Sequence, residues 1–110
     1  MNVEAEVIAK VTGWLSSVPS VTRAWGFGSR AKGNFKPDSD LDIAVSLRPG
    51  DGKILAEWIF NGDVWASQIN ELVGGNPRID LQLADEELLN GVVWPAILDH
   101  GVLIYEVARP

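Results

Sequence analysis

Apolar residues recur along this chain with two different periods, and the switches between them mark out the elements. Val3, Val7, Val11, Trp14, Leu15 and Val18 return at helical spacing, with Glu4, Glu6 and Lys10 on other faces. That pattern predicts an amphipathic helix over residues 3–17, ended by Pro19-Ser20. Val21 to Phe27 reads as a strand with Val21, Trp25 and Phe27 on one face and Arg23 as an exception. Leu41, Ile43, Val45 and Leu47 alternate with Asp40, Asp42, Ala44 and Ser46, a half-buried strand whose acids share the other face. A second helix is predicted from about Lys53 to Leu72, with Ile54, Trp58, Trp65, Ile69 and Leu72 as its buried stripe and Gly62-Asp63 as a candidate interruption. Residues 78–83 alternate again, Ile79, Leu81 and Leu83 one way and Arg78, Asp80 and Gln82 the other. Asp85-Glu86-Glu87 would start a short helical stretch, and Pro95 would sit in the first turn of another helix ending before Gly101. Val102 to Tyr105 closes the pattern as a final strand. Helices and strands mixed in this way predict a small α/β or α+β sheet domain.

Composition narrows what such a domain can be. A chain of 110 residues makes one domain, spanning 1–110, with no room for a second one to hold an acceptor. No run of 18 apolar residues occurs, and Glu4 and Glu6 stand where a signal peptide would carry positive charge. The absence of cysteine removes disulfides and thiolate metal sites, so the cytoplasm is the expected compartment. A net charge of -6 argues against a general nucleic-acid binder. Yet three of the nine basic residues, Arg30, Lys32 and Lys36, cluster in one short segment, a patch sized for a nucleotide.

That segment lies between the two parts of the chemistry. Gly28-Ser29 is followed after ten residues by Asp40-Leu41-Asp42. Two positions along a strand are about 6.6–6.8 Å apart on one face. Carboxylates so placed can share a pair of cations about 3.5–4 Å apart, the spacing used in phosphoryl and nucleotidyl transfer. Hard oxygen ligands suit Mg²⁺, which takes part of its shell from substrate phosphates. If the strand at 78–83 lies beside that at 41–47, Asp80 joins the same cluster, and three neighbouring acids repel one another unless a cation neutralises them. Glycine lets a backbone approach phosphate closely, Ser29 adds a hydroxyl, and a short helix from near Arg30 would aim N–H groups at the anion.

Taken singly, each piece is an ordinary turn, strand edge or wet loop; their order and spacing carry the reading. The five tryptophans read as core and edge packing, and His100 as a helix-end residue rather than a ligand. Three rival motifs fail at required positions. Gly26-x-Gly28-x-x-Ala31 lacks the crossover helix of a dinucleotide site, because Gly33 and Pro37 intervene. Gly28 and Gly33 have phosphate-loop spacing, but Asn34-Phe35 replaces the Lys and Ser/Thr. Asp38-x-Asp40-x-Asp42 opens like a calcium loop, then has Ile43 for the turn glycine and Pro49 for the bidentate Glu.

Phe27-Gly28-Ser29-Arg30-Ala31-Lys32-Gly33, five residues, then Ser39-Asp40-Leu41-Asp42 resembles the signature of the polymerase-β-like nucleotidyltransferases. Together with Ile79-Asp80-Leu81 and the chain's size, it resembles the minimal nucleotidyltransferases, whose members include antitoxin partners of HEPN-domain toxins. The resemblance implies a small α+β nucleotidyltransferase fold, a mixed sheet with helices packed on one side. It implies that Asp40 and Asp42 bind two Mg²⁺ ions, and that Asp80 holds the metal that activates the acceptor hydroxyl and can take its proton. Gly28 and Ser29 would hold the β- and γ-phosphates of ATP, with Arg30 a weaker phosphate candidate because a side chain after the turn can point to water. The implied reaction moves AMP from ATP to a hydroxyl, in the toxin–antitoxin members a tyrosine of the HEPN partner. Alternatives are a module that neutralises its partner by docking alone, and a small-molecule transferase of the aminoglycoside type. Family analogy points to a homodimer or hetero-oligomer.

Overall fold

The computed structural model describes residues 3–33, 36, 38–48, 54–84 and 91–107. Its elements follow in the order α1 (Ala5–Ser16), β1 (Val21–Phe27), α2 (Ser29–Lys32), β2 (Leu41–Leu47), α3 (Ile54–Val73), β3 (Ile79–Leu83), α4 (Val93–His100) and β4 (Val102–Glu106). Lys53 and Asp85-Glu86-Glu87, which the sequence assigns to helix starts, lie outside the described residues. The strands form one sheet in the order β3-β2-β1-β4. β1 is antiparallel to both β2 and β4, while β2 and β3 run parallel. This is the mixed α+β architecture that the periodicities predict. No helix among the described residues is long and apolar enough to cross a membrane.

Alternation in β2 and β3 sends one set of side chains into the main core. Leu41, Ile43, Val45, Leu47, Ile79, Leu81 and Leu83 bury together against Val7, Val11, Trp14 and Leu15 of α1 and Trp65, Ile69 and Val73 of α3. The two long helices thus pack on the same side of the sheet. Short α4 lies on the opposite face, where Ile97 packs with Trp25, Phe27, Ala44 and Ala84.

Two details depart from the sequence pattern. Val21 does not share a face with Trp25 and Phe27: it joins the main core, opposite Leu47. The register of β1 shifts between Val21 and Arg23, so one extra residue there reverses the parity of everything after it. Arg23 consequently is no exception but shares Trp25's face, its guanidinium 5.6 Å from the indole centroid. On α3, Leu72 is exposed and Val73 is buried in its stead, continuing the four-residue steps from Trp65 through Ile69. Gly62 does not interrupt this helix: the Trp58 ring lies against it, so that a Cβ would stand 3.2 Å from the indole.

Asn70 joins α3 to β3. Its backbone carbonyl accepts from the amides of Gly74 and Gly75. Its side-chain amide donates to Ile79 O at 2.9 Å while its Oδ1 accepts from Ile79 N at 2.7 Å. This clamp fixes the residue before Asp80 on an edge strand. Asn70→Ala leaves both Ile79 groups without their partner, and is expected to lower the unfolding free energy by about 1–3 kcal/mol, read by urea denaturation.

Candidate active site

The candidate residues converge at one end of the sheet, where β1 leaves and β2, β3 and β4 enter. Phe27 lies opposite Asp42 in the antiparallel pair, and Asp42 lies opposite Asp80 in the parallel one. Neighbours across a ladder share a face, so both carboxylates stand on the side away from the main core. Their carboxyl groups interact directly, by charge and by a side-chain hydrogen bond. Gln82, two residues along β3, donates from Nε2 to Asp80 Oδ1 at 2.8 Å and so orients that side chain. Alternation places Gln82 beside Asp80 in the sequence, but nothing local reveals the bond.

Asp42 titrates near 6, up from the ordinary 3.8. Partial burial is the main cause, followed by the charge of Asp80, the hydrogen bond with Asp80 and the charge of Asp40. Asp40 itself is exposed, just before β2 begins. The structure therefore brings Asp42 and Asp80 together and leaves Asp40 at the mouth, within reach by charge. No ready-made group of three metal-ligating side chains exists among the described residues. The pair nonetheless fits a hard divalent cation: its donors are carboxylate oxygens, and their mutual repulsion is the penalty that positive charge relieves.

Gly28 forms the other wall. Its φ of 76° and ψ of -158° suit glycine alone, and a Cβ there would stand 1.9 Å from Asp42 Oδ2. The backbone must pass this close for the turn and the carboxylates to share one site. α2 follows at once, with Lys32 N bonded to Gly28 O at 3.0 Å and Gly33 N to Ser29 O at 2.9 Å. Gly33, in the left-handed conformation, ends it.

Arg30 points inward rather than to water. It is 8% exposed, and its Nε donates to Ser39 O at 3.0 Å, tying α2 to the segment that leads into Asp40. Ser39 organises that segment in turn, its Oγ accepting from Lys36 N at 2.8 Å. Arg30 also borders a cavity lined by Val3, Glu4, Val7, Asn76 and Pro77, which includes none of Asp40, Asp42 and Asp80.

His100 is the residue whose place the sequence misses. It does end α4, yet its Nε2 accepts a hydrogen bond from Gly28 N at 2.9 Å, so the ring faces the site instead of merely closing a helix. The lone histidine beside Gly101 gave no local sign of this, because the contact spans 72 positions.

Two outcomes follow from this geometry. Gly28→Ala is expected to disrupt the turn, costing at least about 1–3 kcal/mol of stability in thermal or chemical unfolding through backbone strain alone. The Asp42 carboxyl is favoured by folding in its neutral form, so its contribution to stability is complete below pH 3.8 and lost as pH rises through about 6. Without divalent cations, Asp42→Asn should therefore unfold at a higher temperature than wild type at neutral pH. That gap should close as the pH is lowered from about 6 towards 3.8; a gap independent of pH in thermal scans with chelator would contradict the assignment.

Known proteins place these features in context. The sequence profile of the family described as polymerase beta nucleotidyltransferase matches residues 9–109. No curated protein matches the sequence significantly. Among solved structures, a chain of a toxin–antitoxin assembly with AMP-PNP superposes with a TM-score of 0.64 at 19% identity, covering 93% of this chain and 75% of that one. A chain from the complex of the tri-AMPylated Shewanella oneidensis HEPN toxin with its MNT antitoxin gives 0.60 at 17% identity, covering 93% and 71%. A Sulfolobus solfataricus protein assigned as a nucleotidyltransferase gives 0.52 at 20% identity, covering 99% and 95%. At such identities these likenesses establish a shared fold. With nearly its whole length matched by the family profile, the chain belongs to the polymerase beta nucleotidyltransferase family.

Proposed function

We propose that this protein is a Mg²⁺-dependent nucleotidyltransferase that moves AMP from ATP to a hydroxyl, the acceptor being a tyrosine of a HEPN-domain partner. The observation that carries the reading is the register of Asp42 against Asp80 directly beside the glycine turn. The family assignment supports the reaction type, and the AMPylated HEPN toxin in a structural neighbour supports the acceptor class.

Each residue then has a task. Asp40, Asp42 and Asp80 would hold the cation, which would favour the ionised form of Asp42. When bound, Mg²⁺ would screen the triphosphate and favour the ionised acceptor. Gly28, by letting the backbone approach closely, and Ser29, by its hydroxyl, would seat the β- and γ-phosphates. The placing of Arg30 makes it a brace for this turn and for the loop before Asp40. Asp80, its orientation set by Gln82, would accept the proton of the attacking hydroxyl. The new bond joins the acceptor oxygen to the α-phosphorus, the bond from that phosphorus to the bridging oxygen breaks, and pyrophosphate leaves.

One observation favours a second reading, a module that neutralises its partner by docking. Ile59 and Phe60 of α3 are 69% and 81% exposed, with Leu55 and Val64 also open. Large apolar side chains at a surface mark protein contact, the one requirement of a docking module.

ATP labelled at the α-phosphate, Mg²⁺ and a HEPN-domain protein should yield a labelled partner. Asp42→Asn and Asp80→Asn should each cut transfer by at least ~100-fold, and chelator should abolish it. Saturating ATP with Mg²⁺ should raise the wild-type Tm by roughly 10 °C, a shift lost in Asp42→Asn. A partner silenced equally by Asp42→Asn without nucleotide would favour docking instead.

A further inference from the structure

His100 is the chain's sole histidine, and the reaction above leaves it without a task. Its surroundings define its protonation pattern. Nε2 accepts from Gly28 N at 2.9 Å, so that nitrogen carries no hydrogen. Nδ1 therefore carries it, and lies 3.0 Å from Asp99 Oδ2, the acceptor that fixes this tautomer. The His100 side chain is only 13% exposed, whereas Asp99 stands in solvent.

The fold delivers the ring to this place. Ile97 anchors α4 on the sheet against Phe27 and Trp25. The chain then turns so tightly at Gly101 that a Cβ would meet Ile97 O at 2.7 Å. Val102 pairs with Gly26 in the antiparallel ladder. Two residues onward from Gly26 is Gly28, and two residues back from Val102 is His100, so the ladder's register sets them opposite each other.

Gly28 needs such a partner. Its backbone conformation is one that glycine adopts freely among several others, so the turn keeps this shape only where its surroundings hold it. Lys32 N holds its carbonyl, the Asp42 carboxylate packs under its Cα, and His100 holds its amide.

We propose that His100, oriented by Asp99, is a positioning residue that fixes the Gly28-Ser29 turn in the shape that receives a triphosphate. The Gly28 amide is thereby committed to imidazole and is not itself a phosphate donor. This proposal rests on the nucleotidyltransferase reading for the identity of the ligand, but not for the bond itself.

Two variants and two measurements test it. His100→Gln keeps an acceptor at about the reach of Nε2, and His100→Phe keeps the ring without one. In wild type, NMR should show a scalar coupling between the Gly28 amide nitrogen and His100 Nε2. His100→Phe should weaken ATP binding with Mg²⁺ by about 3–10-fold in calorimetry, as expected for one lost hydrogen bond, and His100→Gln should restore most of it. An absent coupling, or variants that both bind ATP like wild type, would overturn the proposal. So would equal weakening in both variants accompanied by an equal fall in Tm, since that is the mark of packing alone. If wild type itself binds no ATP, the nucleotidyltransferase reading fails separately. Gly28 amide exchange in the free variants then decides: faster in His100→Phe than in His100→Gln supports the positioning role, and equal rates refute it.

Discussion

Strand β2 is bonded on both sides, and its two registers bring the glycine turn, Asp42 and Asp80 together at the site end of the sheet. Against β1 it places Asp42 opposite Phe27, the last residue before the glycine turn; against β3 it places Asp42 opposite Asp80. Because side chains alternate, a slip of one residue in either ladder would drive a carboxylate into the main core and turn Ile43 or Leu81 out to water. The cost of that exchange is what makes the register definite. Core packing by Ile43, Val45, Ile79 and Leu81 is therefore the force that aims the acids.

Holding the acids together works against folding until something positive arrives. Asp42 responds to burial and to its neighbours by holding its proton up to about pH 6. The surrounding bonds keep the arrangement in place regardless. Gln82 orients Asp80, Asn70 clamps Ile79, and Arg30 fastens the short α2 helix to the segment before Asp40. Rigid second-layer contacts of this kind are how a site keeps like charges at working distance.

The second face of the sheet is as important as the core. The irregularity in β1 sends Val21 to one side and Arg23, Trp25 and Phe27 to the other, which gives α4 an apolar seat. Trp94 of α4 meets Trp25 edge-on, with centroids 5.7 Å apart. Seated there, α4 ends at His100 beside Gly28.

The sequence by itself determined the elements and the alternation that keeps Asp42 and Asp80 off the apolar faces of their strands. Periods of two and of helical spacing are local consequences of backbone geometry, so α1, β2, α3 and β3 could be read directly, as could the glycine turn beside Asp40 and Asp42. Tertiary structure alone decided the rest, because each point depends on partners distant in the chain. The parity change in β1 arises from pairing with β2, and the exposure of Leu72 from how α3 rolls onto the sheet. Arg30 lies buried because a carbonyl nine positions away accepts its Nε, and no local pattern shows that. His100 is the clearest case: its ring is an acceptor for Gly28 only because the β1–β4 ladder folds position 100 back onto position 28.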